Sequence, residues 1–166
     1  MHCSISLINV DDPSPVGGGR YNSKLHPIIK LGEWRKGSQW FEMDRDLALE
    51  VVSDRTYFPL FQKYYKDAHN ADEHYLSTFV SIKFWQRNSN RSLTWVDWSK
   101  GGLHPNKYLR PDLTVEFLES LRNNQGKCKY NGKITTNVCY LFARKFFVNS
   151  LKRLLMFAPQ VIHFEE

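Results

Sequence analysis

The chain has 166 residues, of which 42% are hydrophobic and 14% aromatic, and this composition excludes an intrinsically disordered protein. The formal net charge of +6 indicates an anionic partner, such as a nucleic acid, a phosphate-bearing small molecule or a membrane surface. The basic residues are scattered along the chain, which argues against a nucleic-acid-binding tail. No stretch approaches the ~18 apolar residues of a membrane span, and the first ten residues lack the pattern of a signal peptide.

The predicted elements mix strands with helices after an irregular, turn-rich opening. Apolar spacing of 3.6 residues predicts five helices, and alternation of apolar and polar residues predicts three short strands. The order is strand 5–10, helix 44–53, helix 57–66, helix from Asp72, strand 92–98, helix from Pro111, strand 134–142 and helix after Asn149. The chain shows no internal repeat and no linker, so we expect one α/β domain over residues 1–166.

The segment from Asp72 to Phe79 brings two carboxylates and an imidazole together at the start of a predicted helix. Asp72 is predicted to cap this helix by accepting a hydrogen bond from a free backbone N–H. Glu73 falls in the first turn, where the helix dipole favours its charged form, and a carboxylate held on a helix is a candidate general base. The eight residues alone also allow a structural interpretation, a capped helix with a solvated first turn.

A second dense segment runs from Trp34 to Phe41, where Trp34 and Trp40 bracket a basic pair and a Gly-Ser turn. Aromatic faces beside polar groups suit a sugar ring, and they also suit the bases of single-stranded nucleic acid. The alternative is a strand end anchored by a buried tryptophan.

The string Asp44-Arg45-Asp46 has the form of a D-x-D metal site, but we predict that it binds no metal. Asp44 stands where it would cap the helix 44–53, and Arg45 can neutralise either neighbouring carboxylate. The sequence therefore predicts no metal ligands in this segment.

Three cysteines, Cys3, Cys128 and Cys139, are too few for a disulfide framework, and no CxxC pair suggests zinc. Cys128 and Cys139 flank a short turn, so a local bridge between them is possible in an oxidising compartment. The sequon at Asn90 accepts a glycan only if the chain is secreted.

Five ordered blocks of the sequence, spread between about Asp11 and Leu155, carry a resemblance to a known family. They are Arg20-Tyr21, Trp34 to Phe41, Asp72 to Tyr75, Thr94 to Ser99, and Asn137 to Phe146. The pattern resembles the plant core-2/I-branching β-1,6-N-acetylglucosaminyltransferase-like proteins of glycosyltransferase family 14. The resemblance implies the C-terminal part of a GT-A-like α/β fold, a mixed sheet flanked by helices, in a type II membrane protein of the Golgi.

The resemblance also implies an activity, the inverting transfer of N-acetylglucosamine from a UDP-sugar to a sugar hydroxyl without a metal or other cofactor. Glu73 matches the family's general base, and Lys145 matches its diphosphate-binding lysine, with Arg144 beside it. The positions implied to bind substrate are Arg20, Tyr21, Trp34, Gly37, Ser38, Trp40, Asp72 and Trp95. The expected partners are a UDP-sugar and a glycan acceptor, with no nucleic acid.

The cysteines both follow and depart from the family pattern. Cys128 and Cys139 match a bridged pair of the family. Plant members carry another cysteine pair before the Asp-Glu block, at positions held here by Tyr65 and His69. The joint loss of both cysteines implies that the segment before Glu73 lacks a covalent tie.

The family chain is over twice as long as this one, and its N-terminal half holds the membrane anchor and most uridine contacts. A second basic residue near the diphosphate has no clean match: it falls near Thr136, with Lys133 and Arg144 as stand-ins. We therefore expect weak or no transfer by the chain alone. A glycan-binding or other non-catalytic module, and a truncated gene product, remain as alternatives.

Overall fold

The computed structural model describes residues 6–8, 10–11, 20–102, 104–122, 128–130, 133–136 and 139–162. The helices in these ranges are α1 Arg45–Ser53, α2 Phe58–Tyr65, α3 Ala71–Lys83, α4 Val115–Arg122 and α5 Leu151–Ile162. The strands are β1 Thr94–Val96, β2 Cys128–Tyr130, β3 Lys133–Thr136 and β4 Phe142–Arg144. The chain divides into two compact units, Met1–Ser92 and Leu93–Glu166, where the sequence predicted one domain.

The first unit contains α1, α2 and α3 around an aromatic-rich core. Pro59 stands in the first turn of α2, where its missing N–H and fixed φ favour a helix start. The core residues are Ile8, Val10, Leu25, Ile29, Trp34, Leu47, Tyr57, Phe61, Tyr65, Leu76, Phe79 and Val80. The predicted strand 5–10 lies partly outside the described residues, and within them Ser6 and Leu7 form isolated bridges with Asn88 and Glu42.

Asp44 caps α1, as the sequence predicts, and accepts a hydrogen bond from the amide of Leu47 at 3.0 Å. Its other carboxylate oxygen accepts from the Ser6 hydroxyl at 2.9 Å. Arg87, rather than Arg45, forms an ion pair with Asp44, at 2.8 Å. The expectation that Arg45 neutralises this carboxylate is therefore wrong. The exposed Arg45 begins the helix, whereas Arg87 approaches from a turn after α3.

The start of α3 lies two residues before the predicted one, because its cap is Asn70 rather than Asp72. Asn70 adopts left-handed backbone angles (φ 59°, ψ 37°), which asparagine tolerates better than most residues, and the helix begins at Ala71. Asp72 is therefore the second residue of the helix, and its assignment as the cap is wrong. Glu73 lies in the first turn, as predicted.

The strands form two separate pairs in the described part of the chain. β1 pairs with β4 in parallel, with Thr94 opposite Phe142, and β2 pairs with β3 in antiparallel register. The expected mixed sheet is therefore replaced by two small sheets. The predicted strand 134–142 divides because β3 turns back onto β2, whereas β4 continues alongside β1.

Cys128 and Cys139 form a disulfide bond, with their Cα atoms 5.4 Å apart, which agrees with the pair that the resemblance implied. The predicted helix from Pro111 starts later, at Val115, because a short 3₁₀ turn over Arg110–Asp112 precedes it. Among the described residues, no helix combines the length and apolar character that crossing a membrane requires.

Candidate active site

The segment after Trp34 is attached to the first two turns of α3 by backbone hydrogen bonds. The amide of Arg35 donates to the Thr78 hydroxyl at 3.0 Å. The carbonyl of Arg35 lies 2.9 Å from Nδ1 of His74. Both polar backbone groups of one residue are thus satisfied by one helix, which fixes the path of the loop that follows.

The next residues of this loop continue along the same helix. The amide of Gly37 donates to the carbonyl oxygen of Glu73 at 2.8 Å. Two residues later, the side-chain amide of Gln39 donates to Asp72 at 2.9 Å. The structure therefore brings the predicted Gly37-Ser38 turn against the predicted base, although 36 residues separate Gly37 from Glu73 along the chain.

Glu73 has a mostly buried side chain, 16% exposed, and one of its carboxylate oxygens lies 3.7 Å from Nζ of Lys36. Lys36 is half exposed. Sequence reasoning did not assign Lys36 or Gln39 a role, since a contact between a loop and a helix this far apart leaves no local pattern. The carboxylate is thus held on a helix, with a cation 3.7 Å from one of its oxygens.

Trp34 is completely buried. Its ring stacks on His74 with centroids 4.5 Å apart, and it also lies parallel to Phe61 at 5.5 Å. The alternative interpretation, a tryptophan anchored in the core, describes this residue. Its burial does not support direct contact between its ring and a substrate, so we correct that assignment.

Trp40 differs from Trp34, because 44% of its surface is exposed. Its amide donates to the Ser38 hydroxyl at 3.1 Å, so the exposed ring stands beside the Gly37-Ser38 turn. Phe41 is also exposed. The aromatic surface expected from the sequence is therefore supplied by Trp40 and Phe41.

Arg20 and Tyr21 lie close to the start of α3. The hydroxyl of Tyr21 donates to the carbonyl of Ile29 at 2.6 Å. Arg20 accepts a hydrogen bond at its carbonyl from the Tyr65 hydroxyl, and its guanidinium donates to the carbonyl of His69 at 3.2 Å. Tyr65 and His69, which stand where plant members of the family carry a cysteine pair, thus both contact Arg20.

The second unit carries the predicted diphosphate-binding residues at the end of β4. Arg144 is the last residue of that strand and pairs with Val96 of β1. Lys145 follows it, and its carbonyl accepts a hydrogen bond from the amide of Tyr108 at 2.9 Å. Trp95, on the neighbouring strand, has its ring 5.8 Å from that of Tyr108.

Asp97 organises the loop after β1, and sequence reasoning did not assign it a role. It accepts hydrogen bonds from the Tyr108 hydroxyl, from the side-chain amide of Asn106 at 2.6 Å and from the amide of Ser99 at 2.8 Å. These donors, led by Tyr108, hold the pKa of the Asp97 carboxyl well below its usual range. Burial and the neighbouring Asp97 raise the pKa of Tyr108 to about 12.

Within the ranges that the structure describes, no group of three or more histidine, cysteine, aspartate or glutamate side chains is placed to hold a metal ion. Glu73 and most of the predicted substrate-binding residues belong to the first unit. Lys145, Arg144 and Trp95 belong to the second. The predicted site residues therefore fall into two groups, one in each unit.

Comparison with known proteins agrees with the resemblance. A family model described as Core-2/I-Branching enzyme matches residues 3–122, which include Glu73 and Trp95. A protein of rice, Oryza sativa subsp. japonica, named Glycosyltransferase BC10 is 32% identical, and the match covers 86% of this chain but 46% of the rice protein. The chain thus spans about half the length of this relative, and no solved structure matches it. This chain belongs to the Core-2/I-Branching enzyme family.

Proposed function

We propose that this chain is the acceptor-side part of an inverting, metal-independent glycosyltransferase that uses a UDP-sugar such as UDP-N-acetylglucosamine. The observation that carries the proposal is the hydrogen bond from the Gly37 amide to the Glu73 carbonyl, which brings the acceptor turn against the base. A GT-A-like fold for the complete protein and a Golgi location belong to the same proposal.

Glu73 acts in this proposal as the general base. Its carboxylate takes the proton of the acceptor hydroxyl, whose oxygen then attacks the anomeric carbon of the donor sugar. The bond between that carbon and the diphosphate oxygen breaks on the opposite face, and UDP leaves with the electron pair. A single displacement of this kind inverts the configuration at the anomeric carbon.

Lys145 acts on the leaving group. UDP is already a stable anion, so it needs neutralisation of its charge more than protonation. The ammonium of Lys145, with the guanidinium of Arg144 beside it, supplies positive charge without a metal ion. The exposed Trp40, beside the Gly37-Ser38 turn, offers an aromatic face to the acceptor sugar.

The test uses a chimera in which this chain replaces the matching part of the rice relative, assayed with radiolabelled UDP-N-acetylglucosamine. We expect Glu73→Gln to lower turnover about 10²-fold to 10⁴-fold, with UDP binding by calorimetry unchanged. The matched control is Glu50→Gln, an exposed glutamate on α1. Full turnover in Glu73→Gln would remove Glu73 from the base role.

Two further measurements separate parts of the proposal. Turnover in the presence of a chelator tests metal independence, and a loss that Mn²⁺ restores would contradict it. Calorimetry of the 166-residue chain with UDP tests the idea that this chain carries only part of the nucleotide site. Micromolar affinity for the chain alone would refute that idea.

A second function, glycan binding without transfer, is favoured by one observation. The residues expected to contact the acceptor, from Gly37 to Trp40, lie with Glu73 in the first unit. A binding module predicts that the chimera binds the glycan without any turnover that Glu73→Gln could remove, whereas a transferase predicts a selective loss of turnover.

A further inference from the structure

A cavity of about 630 Å³ opens beside the first turn of α3, within the first unit. Its wall includes Tyr21, Tyr64 and Tyr65, together with Arg20 and His74. The volume lies within the range of small-molecule sites, and the wall combines aromatic side chains with a few polar groups. The resemblance implies a substrate role for Arg20 and Tyr21 of this wall, but the proposed transfer step gives His74 no part.

His74 is the unusual member of the wall, because it is only 2% exposed and one of its ring nitrogens has no partner. Its Nδ1 lies 2.9 Å from the carbonyl oxygen of Arg35. A carbonyl can only accept, so Nδ1 must carry the hydrogen. In the neutral ring Nε2 is then a bare acceptor, and no described residue donates to it.

The surroundings of His74 favour this neutral form. Burial is the main cause that lowers its pKa, and the positive charges of Arg20 and Lys36 act in the same direction. The Arg35 carbonyl and the negative charge of Asp72 oppose the shift without cancelling it. A buried acceptor without a donor is destabilising, so such an atom is expected to find a donor in the functional state.

We propose that this cavity binds a neutral sugar ring of the acceptor glycan and that Nε2 of His74 accepts a hydrogen bond from one of its hydroxyls. The inference rests on the proposed function, since it places part of the acceptor there. A carboxylate or phosphate has no hydrogen to donate to Nε2, and Arg20 disfavours a cation. A sugar ring offers both hydroxyl donors and C–H faces that pack against the tyrosines.

The test is NMR of the whole chain labelled with nitrogen-15 in histidine. The probes are the methyl β-glycosides of galactose, glucose, xylose and N-acetylglucosamine, with galacturonic acid as the acidic analogue. We expect at least one neutral glycoside to shift the Nε2 resonance of His74 in a saturable manner. Saturable binding that leaves this resonance unmoved, or no binding of any probe, overturns the proposal. The proposal is also overturned if the Nε2 resonance of the free protein already reports a hydrogen bond, donated by a buried water, and does not respond to any probe.

Variants separate a specific contact from a general effect on folding. His74→Phe removes the acceptor, and we expect about tenfold weaker sugar binding, the loss of one hydrogen bond. His74→Gln keeps an acceptor oxygen and is expected to retain most of the affinity, so it serves if the phenylalanine variant fails to fold. His26→Gln is the matched control, because His26 is exposed and does not line this cavity.

This inference and the proposed function fail separately. If the His74 resonance does not respond while transfer by the chimera still depends on Glu73, the inference alone is wrong. If the resonance responds but the chimera transfers no sugar, the proposed function alone is wrong. In an active chimera His74→Phe should raise KM for the acceptor while kcat and KM for the donor stay constant, and an unchanged acceptor KM would contradict the positioning role.

Discussion

Nζ of Lys36 lies 3.7 Å from a carboxylate oxygen of Glu73, so the candidate base is oriented by a cation from the loop packed on its own helix. Lys36 is half exposed, and ion pairs of this kind stabilise proteins by less than about 1 kcal/mol. The value of the contact is therefore expected to lie in orientation rather than in stability.

Lys36→Met should change the free energy of unfolding by less than about 1 kcal/mol but lower kcat of the chimera by roughly tenfold to 100-fold, through loss of orientation. Denaturant unfolding and steady-state assays measure the two quantities. Lys66→Met, at an exposed lysine just after α2, is the control and should change neither. Unchanged kcat in Lys36→Met would show that the ion pair has no part in transfer.

The two tryptophans of the acceptor segment should respond in opposite ways. Trp34→Ala removes a buried ring from the core and is expected to cost about 3–5 kcal/mol of unfolding free energy. Trp40→Ala changes an exposed ring and should cost about 0.5 kcal/mol or less while weakening binding of the acceptor. Urea unfolding and glycan titration distinguish them, and equal destabilisation would contradict the burial of Trp34.

The second unit should show an acid-sensitive contribution from Asp97. Its pKa is lowered in the folded protein, so its contribution to stability is present above the unfolded value of 3.8 and is lost as the pH falls through the folded value. Tyr108→Phe removes the first donor and should raise the pKa of Asp97 toward its usual range. A carboxyl-carbon NMR titration measures this change.

The control for that titration is Tyr140→Phe, a substitution at a tyrosine of the same unit outside the Asp97 network. It should leave the pKa of Asp97 at its lowered value. If Tyr108→Phe also leaves this pKa unchanged, the Tyr108 hydroxyl is not the donor that holds the carboxyl ionised.

The disulfide between Cys128 and Cys139 closes a short loop, with the two residues 11 positions apart. Replacing both cysteines by serine should lower the free energy of unfolding by about 2–3 kcal/mol, because the unfolded chain gains freedom. Chemical denaturation under non-reducing conditions measures the loss. Cys3→Ser leaves both bridged cysteines in place, and its free energy of unfolding should equal that of the parent chain. A double variant as stable as the parent chain would contradict the prediction.

Local signals predicted the helices well and the contacts of the site poorly. Asp44 was identified as a cap because the cap and the amide it binds are three residues apart. The start of α3 lies two residues before the predicted one, since the left-handed backbone of Asn70 is compatible with the sequence but not required by it. Lys36 could not be paired with Glu73, because their contact depends on how the loop packs on α3.

The tryptophans show the same division. The sequence left open an aromatic surface next to the Gly-Ser turn or a buried tryptophan, and it could not tell which ring faces outward. Trp34 is buried because rings from α2 and α3, namely Phe61 and His74, come to lie parallel to it. Such stacking involves residues 27 and 40 positions away, and no periodicity in the segment itself records it.

Because the Arg35–Gly37 loop is attached to α3, the position of Glu73 depends on the packing of the core. His74 stacks on Trp34, holds the Arg35 carbonyl and directly follows Glu73 in the helix. A substitution that loosens the packing around Trp34 is therefore expected to shift the Glu73 carboxylate as well as to lower the free energy of unfolding. Under the proposed function, selection for activity and selection for stability act on the same side chains.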